Sequence, residues 1–167
     1  LSSEQRGVVY EALKKQLPAI IRSGYDFYCV LKLLSLEQRG VVFEALKERL
    51  PAIITSGYDF NFVLEYLNFE QRGAVCEALK KQLPAIITSG YEFFSLNKLL
   101  TPEQHYAVGE ALKEQLPAII KTGIDFGLVF KFITREQRDL VFKALREQLP
   151  AIIKTGYDFN CVLEYLR

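Results

Sequence analysis

One repeating pattern runs through the 167-residue chain and restricts what it can fold into. Glutamates recur at a fixed interval of 33 residues, at Glu4, Glu37, Glu70, Glu103 and Glu136. A fixed period of this length is typical of stacked repeats, which bury their apolar faces on their neighbours instead of in one central core. The sequence therefore predicts a single repeat array over residues 1–167, with repeats at 2–34, 35–67, 68–100, 101–133 and 134–166.

Each repeat contains the patterns of two helices. In the second repeat, Ser35 followed by Gln38 predicts a capping box at the start of a long helix, ahead of apolar residues that recur every three or four positions. The equivalent N-caps are Ser2, Asn68, Thr101 and Thr134. Gly57 is expected to close this helix in a left-handed conformation. Asp59 would then cap a shorter helix from about Phe60 to Leu67.

A proline interrupts the long-helix pattern about two-thirds of the way along, at Pro18, Pro51, Pro84, Pro117 and Pro150. An interior proline removes one hydrogen bond and bends a helix, and the apolar stripe continues in phase across it. We therefore favour a single kinked helix over the alternative of two helices split at the proline. The predicted fold class is all-α, a right-handed superhelical α-solenoid of five two-helix repeats with a proline-kinked long helix.

The predicted ends of the array are apolar. Phe159, Leu163 and Leu166 have no following repeat to cover them, and solenoids normally carry polar terminal repeats. The sequence therefore predicts either a fragment of a longer array or end-to-end self-stacking through uncapped terminal repeats.

Charge and hydropathy exclude several classes of protein. Lys and Arg number 21 against 20 Asp and Glu, which excludes a strongly basic clamp for nucleic acid. No apolar run is long enough to span a bilayer and no leader pattern precedes the repeats, so we expect no membrane partner. Cys29, Cys76 and Cys161 form no metal-ligand or disulfide spacing, which indicates reduced thiols and an intracellular protein.

Catalytic chemistry finds no support in the sequence. His105 is the only histidine, and it stands where four other repeats have arginine. We predict no enzyme activity, no metal site and no cofactor.

Two sets of residues are candidates for binding. The first is a row near the start of each long helix, which could contact phosphates because helix N-termini favour anions. Its members are Arg6, Arg39, Arg72, His105 and Arg138. The second is a position in the short helix that varies between repeats, as partner-reading positions do on an otherwise constant scaffold. It holds Tyr28, Asn61, Phe94, Gly127 and Asn160. Drift with compensating changes in packing is an equal alternative for this position.

The repeats resemble the DNA-binding repeats of transcription activator-like effectors, which have similar length and a proline in the longer of two helices. The resemblance lies in the run Glu77–Ile87, which looks like that family's Glu-Thr-Val-Gln-Arg-Leu-Leu-Pro-Val-Leu-Cys. In a competing register, Leu100–Gln104 matches the family's opening pentapeptide. The family would imply DNA binding, and a secreted effector acting inside a host cell is then an alternative location. Mitochondrial transcription termination factor repeats are a weaker likeness.

The base-reading residues of that family have no counterpart here. Their positions hold Ser3-Glu4, Leu36-Glu37, Phe69-Glu70, Pro102-Glu103 and Arg135-Glu136. A constant glutamate would repel a phosphate-lined groove. We therefore predict a non-enzymatic scaffold that binds a macromolecule, with a protein or peptide favoured because net charge alternates in sign over the first four repeats. The alternative is a DNA-binding array of the effector-like kind. Design could explain the near-identical repeats, but the scattered cysteines and Gly109 argue against it.

Overall fold

The structure, a computed structural model, describes residues 2–166 and is all-α: within that range every regular element is helical, which confirms the predicted class. It forms two compact halves, one ending at Leu79 and one beginning at Lys80, which are described separately. The helices are α1 (Ser3–Leu13), α2 (Leu17–Ile20), α3 (Gly24–Leu31), α4 (Leu36–Leu46), α5 (Leu50–Ile53), α6 (Gly57–Glu65), α7 (Phe69–Leu79), α8 (Leu83–Ile86), α9 (Gly90–Asn97), α10 (Pro102–Leu112), α11 (Leu116–Ile119), α12 (Gly123–Phe130), α13 (Arg135–Leu145), α14 (Leu149–Ile152) and α15 (Gly156–Glu164), with 3₁₀ turns at Lys47–Arg49 and Arg146–Gln148.

Each 33-residue segment contributes three helices, so the predicted kinked long helix is wrong. We call them the first helices (α1, α4, α7, α10, α13), the proline helices (α2, α5, α8, α11, α14) and the third helices (α3, α6, α9, α12, α15). Pro18 is the second residue of α2. The first N–H groups of a helix have no partner within the helix, so the missing N–H of proline costs no hydrogen bond there. The chain between α1 and α2 tightens, with the Gln16 N–H donating to the Leu13 carbonyl at 2.7 Å. The alternative of two helices split at the proline is therefore the correct one.

The start of each first helix follows the predicted pattern. In α4, the Gln38 N–H donates to Ser35 Oγ at 3.3 Å, and the Ser35 N–H donates to Gln38 Oε1 at 3.1 Å. The same reciprocal pair recurs at Ser2, Asn68, Thr101 and Thr134. The capping boxes are therefore confirmed.

The start of each third helix differs from the prediction, because the N-cap is the serine or threonine before the glycine. In α3, Ser23 caps the helix and Asp26 is the third helical residue, with the Asp26 N–H donating to Ser23 Oγ and the Ser23 N–H donating to Asp26 Oδ2, both at 3.1 Å. The prediction that the aspartates are N-caps is wrong, and so is the start of the short helix, since α6 begins at Gly57.

The recurring glycine before each third-helix aspartate or glutamate is explained by close packing, not by a left-handed turn. No glycine in the described part of the chain has a positive φ, so the predicted helix-closing conformation is wrong. A Cβ added at Gly24 would lie 2.5 Å from the Asp59 Cα, which belongs to the next third helix. Glycine is needed here because two helix backbones approach too closely for any larger residue.

Two kinds of helix contact build the core of each half. Third helices pack on each other, α3 on α6 in the first half, and α12 on both α9 and α15 in the second. The proline helices α2, α5, α8 and α11 each pack on the first helix that follows, as α5 does on α7. The largest fully buried side chains include one phenylalanine from each of the first four third helices: Phe27, Phe60, Phe93 and Phe126.

Candidate binding surfaces

The predicted phosphate row is directed toward carbonyl oxygens of the chain itself. Arg39 Nε donates to the Leu31 and Leu34 carbonyls at 2.9 and 3.0 Å, and Arg138 Nε donates to the Phe130 carbonyl at 2.8 Å. The Leu31 and Phe130 carbonyls belong to the last turn of a third helix, where no intrahelical N–H is available to them, and Leu34 lies just after α3. The arginines therefore cap the C-termini of the helices that precede them.

Two further members of the row have the same arrangement. Arg72 Nε donates to the Leu64 carbonyl at 2.9 Å, and partial burial lowers the pKa of its guanidinium. His105 Nε2 lies 2.7 Å from the Asn97 carbonyl oxygen, and its ring meets the Phe132 ring edge-on at 5.0 Å between centroids. Arg6, the remaining member, is exposed. Four of the five predicted phosphate contacts thus have a structural role that the sequence did not indicate.

We expect Arg138→Ala to lower the free energy of unfolding by about 1–2 kcal/mol, because it removes a charged donor from a half-buried carbonyl. Arg6→Ala is the matched control, since the exposed side chain of the same repeat position should change stability by less than about 0.5 kcal/mol. Urea unfolding followed by circular dichroism measures both. Equal losses in the two variants would contradict a capping role.

The helix N-termini that could attract anions already carry carboxylates. Hydrogen bonds from the Arg22 N–H and the Ser23 hydroxyl keep the pKa of Asp26 below its usual value, and the Thr155 hydroxyl does the same for Asp158. At the start of α10, a backbone N–H lowers the pKa of Glu103. These groups are therefore ionised at neutral pH, and each offsets the positive end of its helix dipole. An approaching phosphate would meet negative charge.

The variable position of the third helices lies at contacts between successive helices. Tyr28 packs against Tyr66, with ring centroids 5.5 Å apart, and Phe94 packs against Phe132 at 5.6 Å. At Gly127 an added Cβ would come within 3.2 Å of the Tyr165 ring, so the glycine makes room for that tyrosine. Three of the five predicted partner-reading positions thus lie against an aromatic side chain of the following repeat, so packing between repeats occupies them.

The two asparagines at this position differ from each other. Asn61 is half-buried, and its Oδ1 has no hydrogen-bond partner among the described residues. Asn160 on α15 is exposed. Partner recognition through this position stays a prediction for these two residues.

A more exposed set of residues is constant between repeats. Tyrosine is the second residue of four third helices, at Tyr25, Tyr58, Tyr91 and Tyr157, whose side chains are 57%, 63%, 59% and 65% exposed. We call these the third-helix tyrosines; α12 carries the apolar Ile124 in their place, also exposed. Neither the arginine row nor the variable position of the third helix includes these tyrosines. The sequence signal that could have identified them is a tyrosine that recurs directly after the glycine in four repeats.

A groove recurs between the proline helix of one repeat and the first helix of the next. In the first half it has a volume of about 470 Å³ and is lined by Lys47, Glu48, Pro51 and Ala74, among others. The equivalent groove in the second half is lined by Lys113, Glu114, Pro117 and Leu140 and measures about 270 Å³. Both have a mixed-charge rim beside Pro and Leu, so they suit an uncharged or mixed-charge chain better than a polyanion.

The three cysteines are free thiols in different environments. Cys29 is exposed, whereas Cys76 is buried in α7, where burial raises the pKa of its thiol to about 12. Because the thiolate is the reactive form, we expect iodoacetamide at pH 8 to label Cys29 at least about 100-fold faster than Cys76. Mass spectrometry of labelled peptides over time measures this, with urea-unfolded protein as the control in which the rates converge. Equal rates in the folded protein would place Cys76 at the surface.

Neither a membrane span nor a metal site is found among the described residues, and known proteins give no match. Within residues 2–166, no helix has the length and apolar character needed to cross a membrane, and no group of three or more His, Cys, Asp or Glu side chains could hold a metal ion. Comparisons with protein families, curated proteins and solved structures give no match to this chain. The resemblance to transcription activator-like effector repeats therefore stays a prediction.

Proposed function

We propose that this chain is a non-enzymatic helical repeat scaffold that binds a protein or peptide through its third-helix tyrosines. The observation that carries the proposal is their exposure: an aromatic ring stands more than half exposed at the same place in four third helices. The fully buried aromatic of the third helix is a separate residue, such as Phe27 two residues after Tyr25. Tyr25 meets the Phe62 ring of α6 edge-on, with centroids 5.6 Å apart, and is still 57% exposed.

The chemistry of the tyrosines favours a protein partner. Tyrosine combines a large apolar ring with a hydroxyl and loses little conformational entropy on binding, which is why it is enriched in protein interfaces. A carboxylate directly follows this position in α3 and α12, where Asp26 follows Tyr25 and Asp125 follows Ile124. This negative charge disfavours a nucleic-acid backbone and favours a segment with cationic or neutral side chains.

The same proposal includes the finer architecture, a right-handed superhelical α-solenoid of five repeats. It is supported by the recurrence of one contact pattern, third helix on third helix, within each half. Small-angle X-ray scattering tests it by measuring the radius of gyration. An elongated solenoid should have a larger radius of gyration than the roughly 15 Å of a compact domain of this length. A measured value near that of a compact sphere would contradict it.

The binding proposal is tested by selecting random linear peptides on the wild-type protein. The selected peptides are then measured against a variant in which all four third-helix tyrosines are serine. We expect the variant to bind at least about 100-fold more weakly, because tyrosines are among the side chains that contribute most to interfaces. Its circular dichroism should match the wild type, since the rings are exposed.

A second variant controls for loss of exposed apolar surface in general. Leu36→Ser with Tyr106→Ser removes two exposed side chains from the first helices. We expect it to bind the selected peptides as the wild type does. Equal weakening in both variants, or selected peptides that ignore the tyrosine changes, would place the binding surface elsewhere.

A further inference from the structure

The contact between successive third helices has a fixed set of partners. The Gly24 N–H of α3 donates to Asp59 Oδ1 of α6 at 3.1 Å, and the Gly123 N–H of α12 donates to Asp158 Oδ1 of α15 at 3.0 Å. The glycine of one repeat thus receives the aspartate of the next. Oδ2 of each of these aspartates also accepts an N–H from a residue just before its own helix, so one carboxylate joins two helices.

A second pair of positions meets at the same interface. The fifth helical residue of one third helix faces a residue near the end of the next, as Tyr28 faces Tyr66 and Phe94 faces Phe132. Gly127 faces Tyr165 in the same way. The side chains change between repeats while the register stays the same, so the register is a property of the interface.

The glycine side of this interface is open on α15. A Cβ added at Gly156 would meet nothing within 4 Å, whereas at Gly24, Gly90 and Gly123 it would meet an aspartate of the next helix within 2.8 Å. Phe159, the counterpart of four fully buried phenylalanines, is 53% exposed. Helix α15 therefore presents the same receiving surface as the internal third helices, without a helix on it in this chain.

The aspartate side of the interface is open on α3. The Arg22 and Ser23 N–H groups both donate to Asp26 Oδ2. The other oxygen, Oδ1, is the atom with which Asp59 and Asp158 reach the glycine of the preceding third helix. Toward the C-terminal end of α3 lies an apolar groove of about 270 Å³ whose lining includes Val9, Leu13 and Leu33. Leu33 is 56% exposed, although its counterpart Tyr66 packs on Tyr28.

We propose that a second copy of this chain occupies both surfaces, with α3 of one copy packed on α15 of the other. Gly156 of the first copy receives Asp26 of the second, and Asn160 faces Leu33. The argument is continuity: the joint repeats an interface that the chain already forms internally, between the same residue types in the same register. This proposal is independent of the protein-binding function. Because the two surfaces differ, the contact is head-to-tail, and each added copy leaves one surface of each kind open.

Sedimentation equilibrium over a concentration range tests the association. We expect the wild-type mass to rise continuously above the 19.2 kDa of one chain, without a plateau at the dimer. Gly156→Ala and Phe159→Ala should stay at 19.2 kDa over the same range, with unchanged circular dichroism. Leu36→Ser, a control on an exposed first-helix side chain, should associate as the wild type does.

A disulfide tests the register directly. In the internal interface, a Cβ added at Gly127 lies 3.9 Å from the Cys161 Cβ, within the range of about 3.5–4.5 Å found in disulfides. The matching pair between copies is position 160 and Cys29. We therefore expect Asn160→Cys, in a Cys161→Ser background, to form chains of disulfide-linked copies on oxidation with diamide. Adding Cys29→Ser should abolish them. Gly127→Cys is the positive control for this geometry, because the new cysteine should form a disulfide with Cys161 of the same chain.

Two results would overturn the proposal. The first is a wild-type protein that stays monomeric at concentrations up to the millimolar range. The second is association that survives both Gly156→Ala and Phe159→Ala, or that ends at a dimer with no cross-link to Cys29, since either would show a different surface.

Discussion

Phe126→Ala should lower the free energy of unfolding of the second half by about 3–5 kcal/mol, the usual range for removing a fully buried phenylalanine. Phe126 has no exposed surface, and its ring stacks on Phe130 with centroids 3.8 Å apart. The alanine would leave a cavity at the joint between α12 and its neighbouring third helices. Urea unfolding followed by circular dichroism measures the loss.

Phe159→Ala is the matched control, because it changes the same residue at the same repeat position. Phe159 is about half exposed, so we expect a loss below about 1 kcal/mol when the protein is dilute enough to be monomeric. Equal losses of stability in the two variants would contradict the full burial of Phe126 and the partial exposure of Phe159.

Gly123→Ala should also destabilise the second half, by about 1–3 kcal/mol, the usual cost of forcing an extra group into a packed core. The new Cβ would lie 2.4 Å from the Asp158 Cα, so α12 and α15 would have to separate. Separation would also lengthen the hydrogen bond from the Gly123 N–H to Asp158 Oδ1. Thermal and urea unfolding both report the change.

The same substitution at Gly156 shows whether the loss at Gly123 comes from a steric clash or from the change in helix propensity. Nothing lies within 4 Å of a Cβ there, and alanine favours helix more than glycine does. We expect Gly156→Ala to leave the stability of the monomer unchanged or slightly higher. Destabilisation of similar size at both glycines would indicate a backbone effect and contradict the close approach of the third helices.

Local signals in the sequence predicted the structure well where the interactions are local. The capping boxes depend on side chains three residues apart, such as Ser35 and Gln38, and all five were visible as a spacing. The split at the proline was an open alternative, because a proline at position 18 fits both a kink and a new helix start. The hydrogen bonds around Gln16, which the sequence does not show, separate the two.

Contacts between repeats were beyond the sequence alone. Gly24 looked like a helix terminator, but its partner is Asp59, 35 residues away. The arginines of the predicted phosphate row looked exposed at the start of a helix. Their acceptors, such as the Leu31 carbonyl for Arg39, lie eight residues earlier at the end of another helix. Neither pairing leaves a local pattern.

The candidate surface was only partly predictable for the same reason. Variation at Gly127 looked like freedom to read a partner, yet it matches the Tyr165 ring across the interface. The third-helix tyrosines, in contrast, are constant and were assigned no role in binding. Their exposure depends on how successive third helices pack, which places Phe27 inward and Tyr25 outward on one helix.

The class of partner is the central claim, and one titration tests it most directly. Labelled random double-stranded DNA, single-stranded RNA and the peptides selected on the wild-type protein are each titrated with the chain over a series of salt concentrations. The account predicts that the peptides bind, that this binding depends on the third-helix tyrosines, and that neither nucleic acid binds even at about 50 mM salt. Nucleic-acid binding that weakens steeply with salt, together with peptide binding that is absent or ignores the tyrosines, would contradict it.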